Sequence, residues 1–163
     1  MRFTLLDRIT SLESRQSITA VKNLSLAEEY LADHFPGFPV MPGVLMIESL
    51  VQAGAWLMRY SEDFAYSTIL LKRARQAKFV NFVSPGKTLT VTAQVQEWNG
   101  SECTFKAVGT VDGAATVSAK ITLERFNLAE RGAGVAAADE LQISKAKELF
   151  AVLWPGGLKA PGL

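Results

Sequence analysis

Residues 34–60 read HFPGFPVMPGVLMIESLVQAGAWLMRY, and the change of character at residue 43 decides the fold. From His34 to Gly43 the chain carries Pro36, Pro39 and Pro42 together with Gly37 and Gly43. No regular element survives that density of backbone breakers, so this stretch is a shaped, rigid loop. Pro42 and Gly43 then open a helix, since proline is tolerated in a first turn where its missing N–H has no partner to lose. The helix is predicted to run to about Tyr60. Val44, Leu45, Met46, Ile47, Leu50, Val51, Ala53, Ala55, Trp56, Leu57 and Met58 make it apolar almost all the way round, the pattern of a helix buried on most sides.

Working outward, the periodicity on both sides of this helix changes to that of strands. Residues 3–24 alternate loosely between apolar and polar, as in Ser17-Ile18-Thr19-Ala20-Val21, which predicts one or two strands; Leu24–Asp33 has room for a short helical turn. Beyond the helix, segments 68–82, 89–98, 103–111 and 115–126 are rich in Val, Thr, Ile and Phe. They are separated by Ser84-Pro85-Gly86, Asn99-Gly100 and Asp112-Gly113, the last two being strong hairpin signals. The second half therefore reads as an antiparallel meander. A long sheet wrapped around the one helix is the simplest way to bury it, which makes the chain α+β.

After Phe126 the sequence Arg131-Gly132-Ala133-Gly134 and the alanines that follow read as a linker. Residues 139–154 read as a second helix with Ile143, Ala146, Phe150 and Leu153 at helical spacing, and Pro155-Gly156-Gly157 ends it in a disordered tail. Residues 1–127 thus form one domain and 128–163 a linker, helix and tail. The apolar stripe of the second helix needs a burial partner, expected to be the sheet or a neighbouring dimer.

Composition narrows the classes. The 163 residues suit one domain, and a net charge of +1 singles out neither nucleic acid nor membrane as a partner. A single cysteine, Cys103, forms no internal disulfide and reads as a small apolar strand residue. The N-terminal segment has no sustained apolar run, and the apolar stretch 44–58 is short of a membrane span and contains Glu48 and Gln52. The expected location is the cytoplasm.

His34 is the only histidine, placed at the start of a loop rigid enough to aim it. Glu48 is the only acid in the apolar helix, and Gln52 lies one turn on along the same face. A carboxylate in such a helix is costly unless it is paired, which makes it a functional candidate. Each residue has a plainer reading: His34 as a brace for its loop, Glu48 as a structural acid satisfied by backbone donors. Together, an imidazole and a carboxyl beside a helix N-terminus supply a base, an acid and oriented N–H donors.

The stretch from His34-Phe35-Pro36-Gly37 through Pro39-Val40-Met41-Pro42-Gly43-Val44-Leu45 to Ile47-Glu48, Leu50 and Gln52-Ala53-Gly54 closely resembles the signature of the beta-hydroxyacyl-acyl carrier protein dehydratases. It is similar to the FabZ branch, which has glutamate at the second catalytic position. Weaker matches extend from Leu6-Asp7-Arg8 through Lys78-Phe79 and Ser84-Pro85-Gly86 to Val111-Asp112-Gly113, so the resemblance covers roughly residues 3–126.

The resemblance implies a hot-dog fold and a dimer in which His34 of one subunit faces Glu48 of the other, with assembly to a trimer of dimers open. It implies dehydration of 3-hydroxyacyl thioesters in fatty-acid biosynthesis, with neither metal nor organic cofactor. His34 takes the C2 proton, Glu48, held by Gln52, helps the C3 hydroxyl leave, and the Gly43 N–H polarises the thioester oxygen. The substrate arrives on acyl carrier protein or coenzyme A, and Lys72, Arg73, Arg75 and Lys78 form a basic run suited to an acidic carrier or a phosphate; its alternative is a solvated strand face. The chain departs from the family pattern at Ala74-Arg75, Phe38, Trp56 and Leu70, positions that bear on the acyl tunnel and carrier contact. The competing readings are a hot-dog thioesterase and a non-catalytic acyl-binding or scaffold protein, which turnover separates.

Overall fold

The computed structural model describes residues 3–132 and 136–156. In chain order the elements are β1 (Arg8–Glu13), β2 (Ser17–Asn23), α1 (Gly43–Ser61), β3 (Thr68–Phe79), β4 (Thr88–Asn99), β5 (Glu102–Val111), β6 (Ala114–Phe126) and α2 (Ala136–Leu153). Short 3-10 turns at Glu29–Ala32 and Ala129–Arg131 precede the proline-glycine loop and α2. Pro42 caps α1 from outside with a ψ of 138°, one position earlier than expected. Among the described residues no helix is long and apolar enough to cross a membrane.

The six strands form one antiparallel sheet of order β1-β2-β4-β5-β6-β3. β4, β5 and β6 make the expected meander, but β3 does not pair with β4. It crosses to the far side of β6 and forms the sheet's edge, with Thr68 opposite Phe126 and Phe79 opposite Val117. The connection after β3 explains the departure. It is no two-residue turn; its backbone bonds elsewhere, Val80 N–H to the Thr116 carbonyl and Gly86 N–H to that of Leu24, both at 2.8 Å. β3 accordingly stops at Phe79 rather than at Phe82.

Strand alternation sends Leu89, Val91, Ala93, Phe105, Ala107, Ile121 and Leu123 to one face, and α1 lies across it. Leu50, Ala53, Leu57 and Met58 are fully buried there. At Gly54 the helix lies close against the sheet: a Cβ would stand 3.1 Å from Leu123 Cδ1 and 3.2 Å from Phe105 Cε2. Cys103 is buried in β5, where burial pushes its thiol up to about 12, as suits an inert strand residue.

α2 packs on α1 and also lies against β1 at the edge of the sheet. The Phe150 ring, fully buried, meets Trp56 and Tyr60 of α1 at 5.8 and 5.7 Å and Phe64 at 5.3 Å, with Trp154 at 5.8 Å. The alanines at 136–138 belong to this helix and not to the linker. Linker residues 133–135 and the tail from Gly157 onward lie outside the described residues.

Asp139 fastens the first turn of α2. Its carboxylate accepts the Ser67 hydroxyl and the N–H groups of Leu128 and Ala129, the latter two at 2.9 and 3.0 Å. The Ser67 bond first, then those of Ala129 and Leu128, hold its pKa below the ordinary carboxylate value. A depressed folded-state pKa contributes stability above the unfolded value and loses it as pH falls through the folded one. Asp139→Asn is therefore expected to lower the thermal midpoint at pH 7, and the gap from wild type should close below about pH 4. Midpoints measured from pH 7 to pH 3 check this; a gap independent of pH would remove the charge from the explanation.

Candidate active site

The proline-glycine loop is tied to itself by backbone bonds. His34 and Val40 exchange two, since the Val40 N–H donates to the His34 carbonyl at 3.0 Å and the His34 Nδ1 donates to the Val40 carbonyl at 2.9 Å. Phe35 and Phe38 bond each other's backbones at 3.1 and 2.9 Å, and the Phe35 ring stacks on the imidazole at 4.0 Å. A carbonyl can only accept, so Nδ1 carries the proton of the neutral ring and Nε2 keeps a free lone pair. The loop thus presents His34 as a base of fixed tautomer. Bracing the loop and aiming the ring are the same interaction.

His34 opens onto a cleft of about 410 Å³ lined also by Met41, Gly43, Met46, Phe79, Val80, Asn81 and Phe82. Gly43 begins α1, and its N–H, in the first turn, has no carbonyl four residues back to bond. A Cβ here would lie 2.9 Å from Phe79 Cε1, so any larger residue needs that exposed ring to swing aside. The base and the helix N-terminus therefore share one apolar cleft.

Glu48 is half-buried rather than enclosed, and it is not among the residues lining that cleft. Five residues along a helix is a rise of about 7.5 Å and a turn of roughly 140° past Gly43, which puts Glu48 on another side of α1. Its partner is Gln52, whose Nε2 donates to Glu48 Oε1 at 3.0 Å and to the Phe3 carbonyl at 2.9 Å. The Gln52 Oε1 accepts the Leu5 N–H at 3.0 Å, which fixes which end of the amide faces Glu48. One carboxylate oxygen is held by an N–H and the other has no hydrogen-bond partner among the described residues.

The anchors of Gln52 were invisible in the sequence, because they are backbone groups of residues 3 and 5, which residues of almost any type supply. Gln52→Ala is expected to lower turnover about tenfold, by releasing both Glu48 and the N-terminal segment. Gln52→Glu should not rescue it, since a second carboxylate cannot donate to the first. Steady-state rates of the two variants check this.

The basic run is divided. Lys72 Nζ lies 2.5 Å from Glu102 and 3.8 Å from Glu124, and Arg73 lies 3.4 Å from Glu102. The hydrogen bond from Lys72 is foremost in holding the Glu102 carboxyl below its usual range. Arg75 and Lys78 form no ion pair among the described residues. All four lie on the exposed edge strand, and none lines the His34 cleft.

A family model described as a FabA-like domain matches residues 1–120. The 3-hydroxyacyl-[acyl-carrier-protein] dehydratase FabZ of Levilactobacillus brevis is 40% identical over 117 residues, covering 72% of this chain and 79% of that relative. The protein of the same name from Polynucleobacter asymbioticus is 40% identical over 121 residues, covering 74% and 80%. Among solved structures, the dehydratase heterocomplex ApeI:P from Xenorhabdus doucetiae superposes with a TM-score of 0.65 at 18% identity, covering 78% of this chain and 86% of that one. The E. coli PaaI protein of the phenylacetic acid degradation operon gives 0.57 at 15% identity, covering 72% and 82%. Both likenesses concern the fold. The match to the family model ends at residue 120, before α2.

Proposed function

This chain belongs to the FabA-like domain family, and from that premise we propose that it removes water from 3-hydroxyacyl thioesters to give trans-2-enoyl thioesters in fatty-acid biosynthesis, with His34 as base and Glu48 as acid. The observation that carries the reading is the fixed tautomer of His34, whose unprotonated Nε2 shares a cleft with the Gly43 helix start.

The thioester lies with its carbonyl oxygen at the Gly43 N–H. Nε2 takes a proton from C2, and the electron pair spreads toward that oxygen, where the amide and the helix dipole stabilise the negative charge. The C3–O bond then breaks as Glu48 gives its proton to the hydroxyl, which leaves as water. His34 ends protonated and Glu48 ionised, and proton exchange with solvent resets both. The steps use only these residues and no cofactor.

Because Glu48 lies off the His34 cleft within one chain, the acid is supplied by a second copy. The free edge of β3 supports this reading, since unpaired N–H and C=O groups along an edge strand are a template for a second β3. Leu70, Leu71 and Phe79 on that strand, with Val80 and Phe82 beyond it, are at least 40% exposed and offer the apolar surface such a dimer buries. Acyl carrier protein is the proposed carrier of the substrate and the cytoplasm the proposed compartment.

The test follows 3-hydroxybutyryl thioesters of coenzyme A and of acyl carrier protein, reading enoyl absorbance and free thiol together. The expected result is enoyl product without thiol release. Thiol release without enoyl product would make the chain a thioesterase, and no turnover of either thioester at several chain lengths would leave an acyl-binding protein.

A further inference from the structure

α2 lies beyond the segment that the family model matches, and its outward side carries a pattern that the packing on α1 does not use. Asp139, Phe150 and Leu153 are buried and fix which side of the helix faces the protein. At about 100° per residue, the opposite side is formed by Leu141, Lys145, Glu148 and Val152, in steps of four, three and four residues. All four are exposed, Leu141 at 54% and Val152 at 71%. Ala137, Ser144 and Ala151 beside them are small enough to let another helix approach. Neither Lys145 nor Glu148 forms an ion pair among the described residues.

The order of these four residues is complementary to itself. Two copies of α2 laid antiparallel, with a two-fold axis passing between Ala146 and Lys147, set residue 141 of each against residue 152 of the other and residue 145 against residue 148. Leu141 then meets Val152 at both ends, and Lys145 meets Glu148 twice in the middle. Steps of four and three residues are the seam of a paired helix, where facing charges set direction and register. Parallel pairing in register lacks this match, since it sets lysine on lysine and glutamate on glutamate. Only the antiparallel pair joins opposite charges and buries both apolar residues.

We propose that this side of α2 docks antiparallel on the same side of α2 in a second copy of the chain. Complementarity selects that occupant. One lysine and one glutamate give the face no net charge to draw an acidic protein or an anionic lipid surface, whereas the face matches itself residue for residue. Four seam positions a side are few against the roughly 20–30 residues of a stable interface, so the pairing is reversible. α2 lies against β1, at the opposite edge of the sheet from β3, so each copy can hold this contact and the proposed β3 contact together. The α2 contact depends neither on β3 nor on the reaction proposed above.

The test traps the pair by its register. Full-length chains carrying Leu141→Cys are mixed with chains carrying Val152→Cys under mild oxidation, while the native Cys103 stays buried and inert. The mixture should give at least about ten times more disulfide-linked pair than either variant alone. In the antiparallel pair residue 141 of one copy lies about 16 Å along the axis from residue 141 of the other, too far for a disulfide. Adding Lys145→Glu to both chains should cut the cross-linking at least about fivefold, and Lys145→Glu with Glu148→Lys should restore it, because the exchanged charges match again. All four positions are exposed, so thermal midpoints should hold and serve as the fold control. No cross-link in the mixture, equal cross-linking by either variant alone, or no recovery on exchanging the charges would each overturn the proposal.

Discussion

Glu48→Gln is expected to cut turnover about a hundredfold or more while the fold and the Gln52 contact persist. The substituted amide keeps the shape of the carboxyl, and its carbonyl still accepts from Gln52 Nε2, as Glu48 Oε1 does at 3.0 Å. What is lost is the proton that leaves with the C3 hydroxyl. His34→Ala should cost about 10²–10⁴ in turnover, because it deletes the lone pair that the Val40 carbonyl aims at the cleft. Steady-state kinetics with thermal midpoints as the fold control check both. A fully active Glu48→Gln variant would remove this residue from the mechanism.

Phe150→Ala should be the most damaging change outside the site, destabilising the chain by about 3–5 kcal/mol. The ring is fully buried and touches four other aromatic side chains, so truncation leaves a cavity between α1 and α2 that the two helices cannot close. For a chain of this length the midpoint should fall on the order of 10 °C. Truncation after Phe126 removes the same ring and should destabilise in the same direction. A change below about 1 kcal/mol would mean that α2 is an appendage and that α1 is stable with Trp56 and Tyr60 uncovered.

Local features were legible in the sequence and relations between distant segments were not. The all-round apolar run of α1, the breakers before it and the hairpin signal at Asp112-Gly113 each act within a few residues, and each reads directly. β3 was misplaced because its partner is chosen by sheet order, which no short-range pattern encodes, and because the connection after it bonds to β6 and to the residues before the loop. The stripe of α2 was visible and the helix does lie against β1 of the sheet, but its packing on α1 through Phe150 was not foreseen.

At the site, the motif named His34, Gly43, Glu48 and Gln52 but could not reveal what orients them. Those groups are the carbonyls of Val40 and Phe3 and the N–H of Leu5. The division of the basic run was not legible, because the pairing of Lys72 and Arg73 with Glu102 is a three-dimensional fact.

Mixing the two inactive variants tests most directly the claim that His34 and Glu48 complete one site across two copies. Chains carrying His34→Ala and chains carrying Glu48→Gln are allowed to exchange subunits, and heterodimer formation is followed by mass. Each heterodimer then holds one site with both substitutions and one with neither, so random pairing should restore about a quarter of wild-type turnover. Mixed dimers no more active than either variant alone would place both residues in a single-chain site and contradict the account.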